Sequence, residues 1–421
     1  MSEPGAHGAG VVVVGGSLAG LRAAEQLRAA GHDGPLRVVG EEPHLPYNRP
    51  PLSKEVLGDP GDSDLERLHG LVAFRRRASV ADVDFVLGAR VEGSDLEARK
   101  LRLADGTHLG YDGLVVATGL RPRRLDLPGP SLGRYVIRTL DDVITLRLRL
   151  AGATDPRVVV VGGGFIGTET ACTLLKLGCD VTVVEPFGAP MERVLGADLA
   201  LAVQRHLTAQ GVRFLTGVGV SGFTGEAHVA GVTLSDGREL PADLVVEAVG
   251  SVCNTEWLEG NPGLDLTDGV LCDDRLRVVG ASRTVAVGDI ARFPNVLVDD
   301  VPRRVEHWSI PTDTAKRAAP TLVALLRGEE PDTTPFVPVP SFWSDQLDLR
   351  FQSFGSPGLA DEVELAEGDL DRLADGVLAL YHRTVAGERR HVGTVAVNLP
   401  PKRQRELRAA FLQPDLSKGT R

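Results

Sequence analysis

Gly162, Gly164 and Gly167 fall at the spacing G-x-G-x-x-G, and a carboxylate, Glu185, follows roughly 20 residues on. That combination grips a dinucleotide. The first glycine allows a tight turn, the second lets backbone amides approach a pyrophosphate, and the third lets a helix pack close to a strand. Phe165 and Ile166 open that helix, whose N-terminus then faces the phosphates. Glu185 is placed to accept hydrogen bonds from an adenosine ribose 2′-hydroxyl and to repel a 2′-phosphate, which favours NADH over NADPH. The elements needed to hold these residues are legible on both sides. Val158 to Val161 reads as a fully buried parallel strand, and Val181 to Val184 as a second one ending on the acid.

The same motif occurs earlier in the chain. Val11 to Val14 reads as a strand, then come Gly15-Gly16-Ser17-Leu18-Ala19-Gly20, a helix over Leu21 to Ala30, and a second strand ending at Glu41. Gly15 matches Gly162 and Gly20 matches Gly167, while Ser17 replaces the middle glycine. A serine is small enough for close approach to a diphosphate, and its hydroxyl can donate a hydrogen bond. Two dinucleotide motifs imply two dinucleotides, most simply FAD and NADH. Between the copies, Leu45 to Lys54 is a proline-stiffened loop that enters a helix near Ser53. Arg49 and Lys54, beside a dinucleotide site, read as flavin or phosphate contacts.

These stretches are joined by others: GEExxxPYNRPPLSK, VVATGLRPR, EPFGAPMERVLG, VAVGDIARFPN, RVEHW and FWSDQ. Together they resemble the oxygenase-coupled, NADH-dependent ferredoxin reductases of the glutathione-reductase-like flavoprotein fold, over nearly the whole chain. The resemblance implies an α/β protein with two Rossmann-like dinucleotide-binding domains and a C-terminal α+β domain. The expected boundaries are 1–121 with 244–327 for FAD, 122–243 for NAD, and 328–421 for a C-terminal interface domain. It adds to the FAD site Val91, the turn Ala117-Thr118-Gly119, Arg138, Gly288, Asp289 on the ribityl hydroxyls, and backbone around Trp308 beside the isoalloxazine ring. In the NAD site Arg193 follows Glu185 closely and is placed to meet the adenosine end of NADH, which as an arginine near the ribose acid leaves some room for NADPH, and Gly250 ends the return strand. Lys54 and Glu169 correspond to an ion pair near the flavin N5, where a cation stabilises the charge left by the electrons of NADH. Trp343 lies between flavin and partner, and arginines around it, including Arg317, Arg350, Arg389, Arg390, Arg403 and Arg405, would steer an acidic protein.

The implied activity is transfer of electrons from NADH through FAD, singly, to a [2Fe-2S] ferredoxin serving a cytochrome P450 or Rieske-type oxygenase. No cysteine precedes Cys172, so the paired cysteines of the disulfide reductases of this fold have no counterpart, and electrons leave the flavin directly. A rubredoxin or nitrite-type reductase of the same fold, and a redox-sensing binding protein resembling apoptosis-inducing factor, are the alternatives.

Composition agrees with such a protein. The 421 residues, 43% hydrophobic, suffice for two or three domains. A net charge of −11 argues against nucleic acid as a bulk partner. No apolar run has the length of a membrane span, residues 1–10 have no signal-peptide pattern, and the four cysteines have no metal or iron–sulfur spacing. A cytoplasmic monomer or homodimer is expected. Pro320 falls inside an expected helix and should kink or end it.

Overall fold

The computed structural model describes residues 10–412. The chain forms two compact units, each drawn from three separate pieces: 10–48, 72–121 and 252–340 in unit 1, and 49–71, 122–251 and 341–412 in unit 2.

Unit 1 is built on a five-stranded parallel sheet. Its order is Thr284–Ala286, Gly113–Val116, Val11–Val14, Leu36–Val39, Asp84–Val86. Val11–Val14 is central and buried on both faces, which is why it reads as an unbroken run of valine rather than an alternation. The helices Leu18–Ala29 and Ile310–Arg327 pack against each other and cover the sheet. Gly113 permits the second of these to come close: a Cβ there would lie 3.2 Å from Leu322 Cδ1. Two small sheets complete the unit: an antiparallel one of Val91–Asp95, Lys100–Leu103 and His108–Gly110, and a mixed one in which Ala291–Asn295 pairs parallel with Val270–Leu271 and antiparallel with Asp299–Arg303.

Of the two outcomes expected at Pro320, a kink or an end to its helix, the second does not occur. The helix continues to Arg327 and stops at Gly328, which takes a left-handed conformation at φ +73°. Both Pro320 and Lys316, whose carbonyl loses its usual donor, lie on the exposed side, where water can replace the missing bond.

Unit 2 repeats the parallel design. The order is Arg213–Thr216, Asp180–Glu185, Arg157–Val161, Leu244–Glu247, Arg134–Tyr135. The helix Leu140–Ala151 begins with a full capping box from Thr139 and Asp142. From it Arg147, 7% exposed, donates to the carbonyls of Val56, Leu57, Asp59, Gly61 and Asp62. One guanidinium thus holds a stretch that lacks regular structure beyond a 3-10 turn at Pro50–Ser53.

The C-terminal part of unit 2 is a five-stranded antiparallel sheet in the order Ser341–Gln346, Leu349–Gly355, Glu388–Val397, Val377–Val385, Glu362–Glu367, followed by the helix Pro401–Leu412. Three of these strands are readable from their apolar residues. The other two are the edges. Glu362–Glu367 is exposed throughout, and Ser341–Gln346 is mostly polar and has no β-branched residue.

Candidate functional site

In unit 1 the fingerprint turn sits where the strand order reverses, above the carboxyl ends of Val11–Val14 and Gly113–Val116. Gly15 has φ +128°, and a Cβ on it would lie 2.1 Å from Ala117 O. A Cβ on Gly20 would lie 1.9 Å from Gly15 O. Gly16 approaches the backbone of Gly40, just before Glu41, whose carboxylate is largely exposed and 3.8 Å from Arg90. Ser17 is the N-cap of the helix Leu18–Ala29 and makes no capping bond with its side chain. The amides at Leu18, Ala19 and Gly20 are among the N–H groups a helix start cannot satisfy internally. No acidic side chain stands in that first turn. The cradle therefore fits a diphosphate.

Of the rest of the expected FAD set in this unit, Ala117-Thr118-Gly119 and Gly288-Asp289 follow the carboxyl ends of Gly113–Val116 and Thr284–Ala286. Thr118 Oγ donates to Asn254 O at 2.7 Å, Asn254 Nδ2 returns a bond to Thr118 O at 2.9 Å, and Gly119 takes φ +59°. Gly288 rests on the helix start, since a Cβ there would be 2.8 Å from Ala19 Cβ, and its N–H donates to buried Thr314. Asp289 follows it, at the carboxyl end of Thr284–Ala286. Val91 is buried at the start of its strand. Trp308 Nε1 donates to Asn48 Oδ1 at 2.8 Å, a partner the sequence did not single out.

His307, beside Trp308, has its pKa pushed down by burial to about 4. A histidine depressed in the fold binds fewer protons than in the unfolded chain between that value and about 6.5. Stability is therefore complete above pH 6.5 and falls as pH drops toward 4, by on the order of 3 kcal/mol. Urea unfolding at pH 7 and pH 4.5 should show this loss, and His307→Gln should remove most of it. An equal loss in both proteins would place its source elsewhere.

Unit 2 holds the second cradle. Gly162 has φ +105° and a Cβ there would lie 2.3 Å from Ala248 O; a Cβ on Gly167 would lie 2.0 Å from Gly162 O. Each matches its counterpart in unit 1. Gly164 is the N-cap of Phe165–Lys176, and a Cβ on it would meet nothing within 4 Å, so the approach to the helix amides is open. Glu185 closes the strand Asp180–Glu185, and its Oε2 accepts from Gly163 N–H at 2.7 Å. Gly163 O in turn accepts from Met191 N–H at 2.9 Å. Arg193 stacks on the Phe187 ring at 4.1 Å. Ile166 is exposed, whereas Phe165 packs on Phe342 with ring centroids 4.7 Å apart. Gly250, at φ +94°, accepts from Arg123 N–H.

Also within unit 2, Lys54 Nζ lies 2.9 Å from Glu169 Oε2, with side-chain exposures of 12% and 7%. The carboxylate is further held by Ser53 Oγ at 2.8 Å on Oε2 and Ser344 Oγ at 2.7 Å on Oε1. Gln346 Nε2 donates to Ser344 Oγ at 3.0 Å and to Met191 Sδ at 3.1 Å. A buried ion pair is tolerable when hydrogen bonds satisfy the remaining lone pairs, and here both oxygens are satisfied. Ser53, Ser344 and Gln346 were not singled out in the sequence. Alternation along FWSDQ, which buries Ser344 and Gln346 and exposes Trp343, was the available signal. Arg49 and Arg138 also meet in this unit: Arg49 Nη1 donates to Arg138 O at 2.6 Å.

Of the residues expected to face a partner, Trp343 is 36% exposed, and Arg350 is 71% exposed but paired with Asp345. Arg317, in unit 1, is only 11% exposed and binds Asp332 and the carbonyls of Asp332 and Thr334. Arg389, Arg390 and Arg403 each pair with glutamates, which offsets their field. All four cysteines are free; burial pushes Cys172 up to about 12 and Cys179 up to about 11, so neither supplies thiolate at neutral pH. Among the described residues no helix is long and apolar enough to cross a membrane, and no cluster of side chains could hold a metal ion.

Comparison with known proteins agrees with this geometry. Residues 9–315 match the family described as pyridine nucleotide-disulphide oxidoreductase. The chain is 37% identical over 346 residues to the ferredoxin reductase component of chlorobenzene dioxygenase from Cupriavidus sp., covering 82% of this chain and 80% of that one. It is 36% identical over 373 residues to the ferredoxin–NAD(+) reductase subunit of the benzene 1,2-dioxygenase system of Pseudomonas putida, covering 87% of each. Among solved structures, the covalent putidaredoxin reductase–putidaredoxin complex matches with a TM-score of 0.83 at 30% identity, over 96% of this chain and 92% of that one. Two glycine cradles on two parallel sheets, with no cysteine pair at either, accompany these similarities: the chain belongs to the pyridine nucleotide-disulphide oxidoreductase family, among the ferredoxin reductases of oxygenase systems.

Proposed function

We propose that this protein takes electrons from NADH onto FAD and passes them one at a time to a [2Fe-2S] ferredoxin that supplies a cytochrome P450 or Rieske-type oxygenase. The observation that carries the reading is the pair of cradles in one chain whose four thiols are free. Bound FAD supplies the conversion between a two-electron donor and a one-electron acceptor. The chain's own residues bind and orient. In the FAD cradle, amides at Ser17, Leu18, Ala19 and Gly20 take the diphosphate, Glu41 a ribose, and Asp289 the ribityl hydroxyls, with Ala117, Thr118, Gly119, Val91, Gly288 and Trp308 lining the site. Arg49 and Arg138 are assigned to the same cofactor. In the NAD cradle, Gly164, Phe165, Ile166 and Gly167 receive the pyrophosphate and Glu185 and Arg193 the adenosine end, with Gly250 lining the site. Lys54, held by Glu169, is the cation that would stabilise negative charge on bound FAD.

This assignment keeps three domains, with the C-terminal sheet offering Trp343, and places the protein in the cytoplasm as a monomer or homodimer. Purified protein should be yellow, bleach rapidly with NADH, and reduce a [2Fe-2S] ferredoxin. Protein without flavin, or a spectrum that NADH leaves unchanged, would refute the reading. Coenzyme choice follows from Glu185. Glu185→Ala should raise the KM for NADH about tenfold, because a charged hydrogen-bond acceptor is lost, and should narrow the preference over NADPH. Steady-state KM values for both coenzymes check this; an unchanged ratio would remove Glu185 from coenzyme selection.

A further inference from the structure

We propose that Ser344 is a positioning residue for NADH oxidation, fixing the Glu169 carboxylate and through it the ammonium of Lys54. The proposal rests on the reading above that the Lys54–Glu169 pair serves that step.

The argument is one of anchorage. Lys54 and Ser53 both hold Glu169 Oε2, and both come from the same short segment. An ammonium is a point charge with little directional preference. The torsion that turns a glutamate carboxylate is broad, so contacts on one oxygen leave the group free to rotate. The second anchor is Ser344, whose Oγ lies 2.7 Å from Oε1. Its hydroxyl has one proton to give. Gln346 Nε2, 3.0 Å away, occupies a lone pair of Ser344 Oγ as a donor, so the serine proton goes to Glu169. The amide cannot be turned the other way: its nitrogen also faces Met191 Sδ, an atom that accepts but never donates. Ser344 and Gln346 are both fully buried, which shields the chain of bonds from water. The same chain reaches the dinucleotide turn, because Met191 N–H donates to Gly163 O. The strand Ser341–Gln346 thereby sets Glu169 and the glycine turn in a common register.

A serine that merely fills space would affect stability and coenzyme binding together; a positioning residue affects the rate through Glu169 alone. The test is a double-mutant cycle on the FAD-loaded enzyme with Ser344→Ala, Glu169→Gln and both. It reads the limiting rate of flavin reduction by NADH in stopped flow, the Kd for NAD+ by calorimetry, and the melting temperature. Ser344→Ala should lower the limiting rate about tenfold, the size of one hydrogen bond to a charged group, with the Kd within about twofold. Added to Glu169→Gln it should lower the rate by less than about twofold, because the two act as one unit. Ser344→Cys, a poorer donor of similar shape, should fall between serine and alanine and serves if the alanine variant folds badly. A Ser344→Ala rate equal to that of the unaltered protein overturns the proposal alone. So does a tenfold loss that persists in the Glu169→Gln background, or a rise in Kd that matches the loss in rate. A Glu169→Gln rate equal to the unaltered one overturns the reading on which the proposal rests.

Discussion

Lys54→Ala is expected to slow the bleaching of flavin by NADH about a hundredfold, the usual consequence of removing one preorganised group from a developing charge. FAD content should fall far less than the rate, since the cradle of unit 1 keeps its glycines. The same substitution should cost about 3 kcal/mol of stability, because it leaves the Glu169 carboxylate buried with only Ser53 and Ser344 for company. Glu169→Ala should slow the step as well, by freeing the ammonium from the carboxylate that holds it at 2.9 Å. Stopped-flow traces and flavin absorbance on the purified variants separate the two effects. Reduction rates at the unaltered value in both variants would take the pair out of the mechanism and leave it as an internal clasp of unit 2.

The second large effect separates the cradles. Gly20→Ala places a Cβ 1.9 Å from Gly15 O, and Gly167→Ala places one 2.0 Å from Gly162 O. Neither carbonyl can yield without moving the turn whose amides receive phosphate. Gly20→Ala protein should therefore purify largely colourless. Gly167→Ala protein should remain yellow yet bind NADH at least about tenfold more weakly, a loss of roughly 1.4 kcal/mol. Absorbance at the flavin band and calorimetric titration with NAD+ decide it. Loss of flavin from Gly167→Ala, or unweakened coenzyme binding by it, would count against the assignment of the second cradle.

The two cradles were legible because their physics is local. A valine run, a glycine at the turn and a glycine five residues later all lie within one short window, and each glycine answers to a carbonyl of its own turn or of the strand beside it. The helix over 310–327 was legible in part: Pro320 signalled a break by its type, but its place on the exposed side made the lost bond cheap. Ser344 and Gln346 were not legible as site residues, since their significance lies in contacts with Glu169 and Met191 far back in the chain. Asn48, which meets Trp308, escaped for the same reason. Arg147 was not singled out either, since nothing in its sequence neighbours tells that five carbonyls converge on it.

Because each unit is assembled from three pieces of chain, neither can be excised by a single cut of the gene. The first sheet lacks its outermost strand until the ribosome has passed residue 286, and Glu169 must wait for a serine 175 residues downstream. During synthesis the earlier segments therefore emerge with apolar strands whose neighbours do not yet exist. Long-range closures of this kind are slow and leave strand edges open meanwhile. The late arrival of the strand Ser341–Gln346 means that a nascent chain stopped before residue 341 would hold both fingerprints and still have Glu169 without its second anchor.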